Sequence, residues 1–292
     1  MKLTNEIVYD VTEREYHAHR ALSSTGARRL LESPARFNYW RTHQEPGKQS
    51  FDVGTAVHTK VLGVGAGTIA YPDEHVTASG SVSTKAATVA WADEQRANGL
   101  TPIAPAQAAR VDGMAEAVLA HPTARKLFEQ PGHSEASVFA TDEDTGVEMR
   151  ARFDRIAIEV PDPVAVDLKT TAKLASVDGF ARTVASYGYD VQQEFYERAF
   201  EQATGYPRIP FVFVVVESEA PHLVAVHSLD VEWEQMGAAK VQRALELYAE
   251  CSQAGIWPGY PTETQLLSPP NYLVYAHEDE YGPVETTTVR YL

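Results

Sequence analysis

Asp167 and Lys169 stand two residues apart in the apolar run Val164-Ala-Val-Asp-Leu-Lys-Thr-Thr171. Alternate side chains of a strand share a face, so this spacing sets a carboxylate and an ammonium side by side. Asp154 lies in a second apolar stretch, Arg152-Phe-Asp-Arg-Ile-Ala-Ile158, where an uncompensated acid is costly. Glu135 begins a third, within His133-Ser-Glu-Ala-Ser-Val-Phe139. If these stretches are neighbouring strands, three carboxylates and one lysine converge. Hard divalent cations such as Mg²⁺ take oxygen ligands of this kind. Two such ions can clamp the attacking and leaving oxygens of a phosphodiester displacement.

The composition narrows the setting. A chain of 292 residues, 44% of them hydrophobic, is long enough for one large domain or two small ones. The net charge of −15 and pI of about 5.1 run against the basic balance expected of nucleic-acid binders, so contacts to such a partner would have to come from a local basic face. Cys251 is the only cysteine, which excludes a disulfide framework and any cysteine-ligated zinc or iron–sulfur site and fits a reducing cytoplasm. The first residues lack the apolar centre of a signal peptide, and no apolar run approaches a membrane span, so no membrane association is expected.

The elements that must position these acids can be sketched from pattern. Residues 1–20 read as an extended lead-in. A helix follows with Ser23 or Ser24 as N-cap, and a second starts at Ser33-Pro34 with proline at its first position. Phe51–Leu62 reads as a helix carrying His58, which by itself is an ordinary packed histidine. Gly63–Gly80 reads as a loop, since its glycines complete no dinucleotide fingerprint. Helical patterns cover Thr84–Ala97 and Ala104–Gln130, the second interrupted at Pro122. Glu135–Thr141 and Glu148–Glu159 alternate as strands of a hairpin whose acidic joint, Asp142–Gly146, reads as a solvated turn. Beyond the Asp167 strand come a helix near Leu174–Val184 and a helix from Tyr189, on which Gln192 and Tyr196 share a face. Strands over Arg208–Glu217 and Leu223–Leu229 follow. The amphipathic segment Asp230–Cys251 carries Trp233, Met236, Val241, Leu245 and Tyr248 on its apolar stripe. From Gly255 the tail is rich in proline and tyrosine and weakly patterned.

In order, His58, Glu135, Asp154, Asp167-Leu-Lys169 and Gln192-x-x-x-Tyr196 resemble the RecB-like branch of the PD-(D/E)XK nuclease superfamily. The wording around them is similar to the nuclease domain of the RecE-like exonucleases (exodeoxyribonuclease VIII). Ala21-Leu-Ser-Ser, Leu31-Glu-Ser-Pro-Ala-Arg-Phe, Gly54-Thr-Ala-Val-His, Arg152-Phe-Asp-Arg-Ile, Val166-Asp-Leu-Lys-Thr-Thr and Val191-Gln-Gln-Glu-Phe-Tyr carry the likeness, which runs from about Ala21 to about Tyr248.

The resemblance implies an α/β fold with a central mixed sheet flanked by helices, and a helical insertion. It implies a single nuclease domain over 1–292: N-terminal helices with the histidine motif at 21–62, loop and insertion at 63–130, catalytic core at 131–253 and a tail at 254–292. It implies that His58, Glu135, Asp154, Asp167 and the Leu168 carbonyl hold one or two Mg²⁺ ions, with Mn²⁺ as a substitute. Lys169 would position or activate water, either as a base or as a fixed charge, and Gln192 and Tyr196 would brace the site or touch DNA. It further implies 5′-to-3′ digestion of linear duplex ends to 3′ single-stranded tails, an annealing partner of the RecT type in a phage recombination system, a homo-oligomer, and a cytoplasmic location in a bacterial or phage-infected cell. The alternatives are a RecB-like or Cas4-like nuclease of other polarity or substrate, or an inactive DNA-binding module of the same fold. Arg28, Arg29, Arg36, Arg41, Lys60, Arg150, Arg152, Lys173 and Arg182 are the candidates for a DNA-facing basic surface. Mutual repulsion of the acids predicts that Asp167→Ala abolishes cleavage at little cost in stability.

Overall fold

The computed structural model describes residues 5–43, 53–64 and 67–283. Phe51 and Asp52, the first residues of the expected third helix, and Gly65 of the expected loop lie outside them. The chain divides into two compact units, Met1–Pro258 and Gly259–Leu292.

The first unit opens with β1 (Glu6–Val8), α1 (Glu13–Ala18) and β2 (Leu22–Ser23), where an extended lead-in was expected. Thr12 and Glu15 form a reciprocal capping box that starts α1. Ser23 caps α2 (Ser24–Glu32), accepting from the Gly26 N–H, and Ser33 caps α3 (Pro34–Thr42). Then come α4 (Val53–Leu62), β3 (Gly67–Ala70), α5 (Ala86–Ala97), β4 (Leu100–Ile103), α6 (Pro105–Ala120) and α7 (Pro122–Glu129). The region expected to be loop thus contains β3, which pairs in parallel with β4 as a separate two-stranded sheet.

The three acid-bearing stretches form β5 (His133–Thr141), β6 (Glu148–Ala157) and β7 (Val164–Thr171). They are followed by α8 (Val177–Tyr187), α9 (Tyr189–Thr204), β8 (Phe211–Glu217), β9 (Val224–His227) and α10 (Val231–Ala254). The second unit contains α11 (Asn271–Tyr281), a helix that the weak pattern of the tail did not announce.

The main sheet runs β1-β5-β6-β7-β8-β9, with β2 added to β6. It is mixed: β7–β8 and β2–β6 are parallel and the other pairs antiparallel. Strand alternation divides the core between its two faces. On one face Phe153, Phe213 and Val215 pack with Phe195 and Phe200 of α9 and Leu245 of α10. On the other Val166, Leu168, Val214 and Val216 pack with Val57 of α4 and Val111 and Met114 of α6. Gly237 lets α10 close on α9: a Cβ there would stand 2.6 Å from the Asp190 carbonyl oxygen. On α10 Val241 and Leu245 are buried as expected, but Met236 is 43% exposed, because it lies off the side that meets α9. Among the described residues no helix is long and apolar enough to cross a membrane.

Candidate active site at a fork in the sheet

The β6–β7 ladder stops at Arg155↔Val166. Beyond that point β7 keeps pairing with β8 as far as Thr171. The next facing positions along the lost register are Asp154 and Asp167. The β5–β6 ladder in turn passes from Ser134↔Arg155 to Ala136↔Phe153, leaving Glu135 level with Asp154 but unpaired. Glu135 has φ of 54°, a left-handed conformation that a residue with a Cβ seldom adopts. Three acids far apart in sequence therefore fall on one cross-strand row, where two strands part.

The fork leaves the Leu168 N–H without a ladder partner, and Asp154 takes it up. Asp154 Oδ2 accepts from the Leu168 N–H at 2.7 Å, standing in for a strand carbonyl. His58, on α4, brings Nδ1 to 3.4 Å from the same oxygen. Ligand atoms of His58, Glu135 and Asp154 all lie within 4.8 Å of one another. An imidazole nitrogen and two carboxylates so gathered fit a divalent cation. His58 is therefore no isolated core histidine.

Asp167 is engaged differently. Its Oδ1 accepts from Gln192 Nε2 at 2.6 Å, and its Oδ2 lies 2.5 Å from Lys169 Nζ. It is 3% exposed. Asp167→Ala would strand this lysine and this amide, so the small stability cost expected from relieved repulsion does not fit the geometry. Lys169 also stands 4.7 Å over the Tyr189 ring, a contact that spacing along the chain does not announce. Leu168 already meets the site through its N–H, which donates to Asp154.

Tyr196 is half-buried against β6. Its ring packs edge-on to Phe153 at 5.1 Å and its hydroxyl meets the Arg152 backbone, so it braces β6. Burial, then the charges of Tyr16, Asp167 and Asp154, push that hydroxyl well above the ordinary tyrosine range. Arg152, noted in the sequence only as a basic candidate, reaches the row directly: Nη1 lies 3.7 Å from Glu135 Oε2. Its place two residues before Asp154 on a strand was the available signal.

Electrostatics follow from crowding acids in a dry place. Burial, with Asp167 adding to it and His58, Lys169 and the Leu168 N–H opposing, raises Asp154 to about 6. Burial also raises Glu135, against the pull of Arg152 and His58. For Lys169 burial acts downward, but Asp167, Asp154 and Tyr189 outweigh it and hold the amine above its ordinary value.

The remaining basic candidates scatter. Arg28 bonds the Tyr187 carbonyl and Thr25, and Lys60 pairs with Asp112. Arg29 lies over Trp40, Arg41 over Trp257 and Lys173 over Tyr187. Of these, Arg41 borders one groove with Arg150, which like Arg152 lies buried or half-buried over Tyr16. In the acidic hairpin joint Glu143 and Asp144 are exposed as expected, but Asp142 is fully buried, with Arg198 at 2.6 Å.

A mixed sheet flanked by helices, with an acid row at a strand fork and a lysine two residues beyond its second aspartate, is the PD-(D/E)XK arrangement. Residues 23–268 match the family described as "PDDEXK-like domain of unknown function (DUF3799)", and the chain belongs to that family. The fold is also that of a crystal structure from Eubacterium rectale described as a "Putative exonuclease". That chain is 12% identical, with a TM-score of 0.54 over 94% of this chain and 99% of the other. No curated protein matches the sequence.

Proposed function

We propose that this chain is a divalent-metal-dependent DNA exonuclease, RecE-like in its site, with Mg²⁺ as the working ion. The observation that carries the reading is the single row Glu135–Asp154–Asp167, flanked by His58 on one side and Lys169 on the other. His58, Glu135 and Asp154 would hold an ion, and Asp167 would join them on exchanging part of its hold on Lys169 and Gln192. A bound divalent ion supplies Lewis-acid polarisation of the phosphate and activation of water. The chain's own residues do the rest. Gln192 fixes the Asp167 carboxylate, Asp154 locks the fork through Leu168, and the Lys169 ammonium is placed to offset charge developing on the phosphate. Support for 5′-to-3′ action on linear duplex ends, for 3′ tails handed to a RecT-type annealing partner, and for a homo-oligomer comes from the sequence resemblance.

The test is digestion of linear duplex DNA labelled separately at its 5′ and 3′ ends, in Mg²⁺ and in EDTA, beside closed circular DNA. Mg²⁺-dependent early release of the 5′ label with circles spared is expected. Early release of the 3′ label would overturn the polarity, and absence of cleavage in both Mg²⁺ and Mn²⁺ would overturn the nuclease reading.

A further inference from the structure

In this chain of net charge −15, one open groove of about 720 Å³ is lined by no carboxylate among the described residues. Arg20, Arg41, His17, His19, Trp40 and Arg150 border it. Arg150 is only 6% exposed, and its Nε and Nη1 find no hydrogen-bond partner among the described residues. The guanidinium lies 4.8 Å from the Tyr16 ring, a cation–π contact that orients it without using its N–H donors. Burying a charged group with idle donors is expensive, and no acid repays the cost. Burial, then the charge of Arg150, holds both His17 and His19 below the ordinary histidine range; Glu13 and Glu148 oppose this from outside the lining.

The groove shares strand β6 with the acid row. Arg150, Arg152 and Asp154 take alternate positions on β6, and positions 150 and 154 are roughly 13 Å apart at about 3.3 Å per residue. Arg150 and Arg152 share the Tyr16 ring, at 4.8 and 4.4 Å, and Arg152 touches Glu135. We propose that this groove holds a single-stranded stretch of the DNA being cut, with a backbone phosphate on Arg150 and the exposed Arg20 and Arg41, and a base against Trp40. A splayed single strand can bring a phosphate to a recessed guanidinium and offer an unstacked base to an aromatic side chain. The identity of the ligand rests on the nuclease reading; the anion site rests on the groove.

The test is fluorescence anisotropy with a short labelled oligothymidylate in EDTA, where cleavage plays no part. Arg20→Glu, Arg41→Glu and Arg150→Gln should each weaken binding about fivefold or more and reduce the salt slope by about 0.7 for each phosphate the variant no longer neutralises. Arg243→Glu, exposed on α10, should stay within about twofold of wild type at the same change in charge as the other two Glu variants. Wild-type affinity in the groove variants, or an equal loss in Arg243→Glu, would overturn the proposal. Losses seen with a hairpin duplex and not with the single strand would overturn its choice of ligand. If Arg150→Gln fails to fold, as judged by circular dichroism, Arg20 and Arg41 carry the test. A protein that binds in EDTA yet never cuts in Mg²⁺ refutes the nuclease reading alone; one that cuts while the groove variants bind normally refutes the groove alone.

Discussion

Helix α9 borders two sets of acids, each with buried members, and they are built on opposite plans. Toward the fork, Gln192 meets Asp167, in a row where three carboxylates share Lys169, Arg152 and His58. Away from it, Arg198 meets Asp142 and Asp144, while Arg208 spans Glu194, Glu197 and Glu201. Both sets contain a carboxyl raised mainly by burial: Asp154 to about 6 and Glu197 to about 7. A raised carboxyl therefore does not by itself mark a site. The second set is closed by guanidinium forks, which match carboxylates bidentately. The first gathers a histidine and two acids within ligand distance of one another and leaves the backbone open at the strand fork.

The sharpest way to break this comparison is to disarm each set in turn. Lys169→Met should lower cleavage by about 10³-fold, within the range for loss of a group acting on the transition state. Activity of Lys169→Met near wild type, measured on duplex DNA in Mg²⁺, would remove the lysine from the chemistry. Arg198→Met should do the reverse. It strands the buried Asp142 and should cost about 3–5 kcal/mol in urea unfolding, with the turnover of folded protein unchanged.

Next in size is the pH dependence of stability. Both raised carboxyls bind protons more tightly folded than unfolded. Their stabilising contribution is therefore complete below pH 4, the unfolded range, and is lost as pH rises through about 6 for Asp154 and about 7 for Glu197. Without metal the melting temperature should fall between pH 5 and pH 8. Mg²⁺ should restore the Asp154 share, and Glu197→Gln should remove the other. A fall that Mg²⁺ leaves untouched would detach Asp154 from the ion. Smallest is Tyr196→Phe, which gives up one hydroxyl hydrogen bond worth about 0.5–1.5 kcal/mol and should leave cleavage within about threefold. A larger kinetic loss would move Tyr196 from bracing to chemistry.

Much of this was legible in the chain. Asp154, Asp167 and Lys169 announce themselves as charges on apolar strands, and the periods of β5 to β8 and of α9 and α10 are strong. What escaped has physical reasons. β2 spans only Leu22–Ser23, and β3 and β4 pair in parallel over four residues each, too short for alternation to register. The α1 capping box, Thr12 with Glu15, was readable but sits in a polar stretch. The burial of Asp142 depends on Arg198, in a helix far along the sequence, and no local pattern announces such a partner. The level placement of Glu135, Asp154 and Asp167 depends on register, which pairing decides and spacing does not.

The hydrogen bond from Leu168 to Asp154 has a spectroscopic consequence. A main-chain amide in the middle of a sheet here answers to a titrating carboxylate instead of a neighbouring strand. Its proton resonance and its exchange with solvent should follow the charge on Asp154 through the acid range, and should shift again when a cation claims that oxygen. Leu168, an apolar residue of the buried core, thereby becomes a built-in reporter of the occupancy of the site, readable without substrate or cleavage.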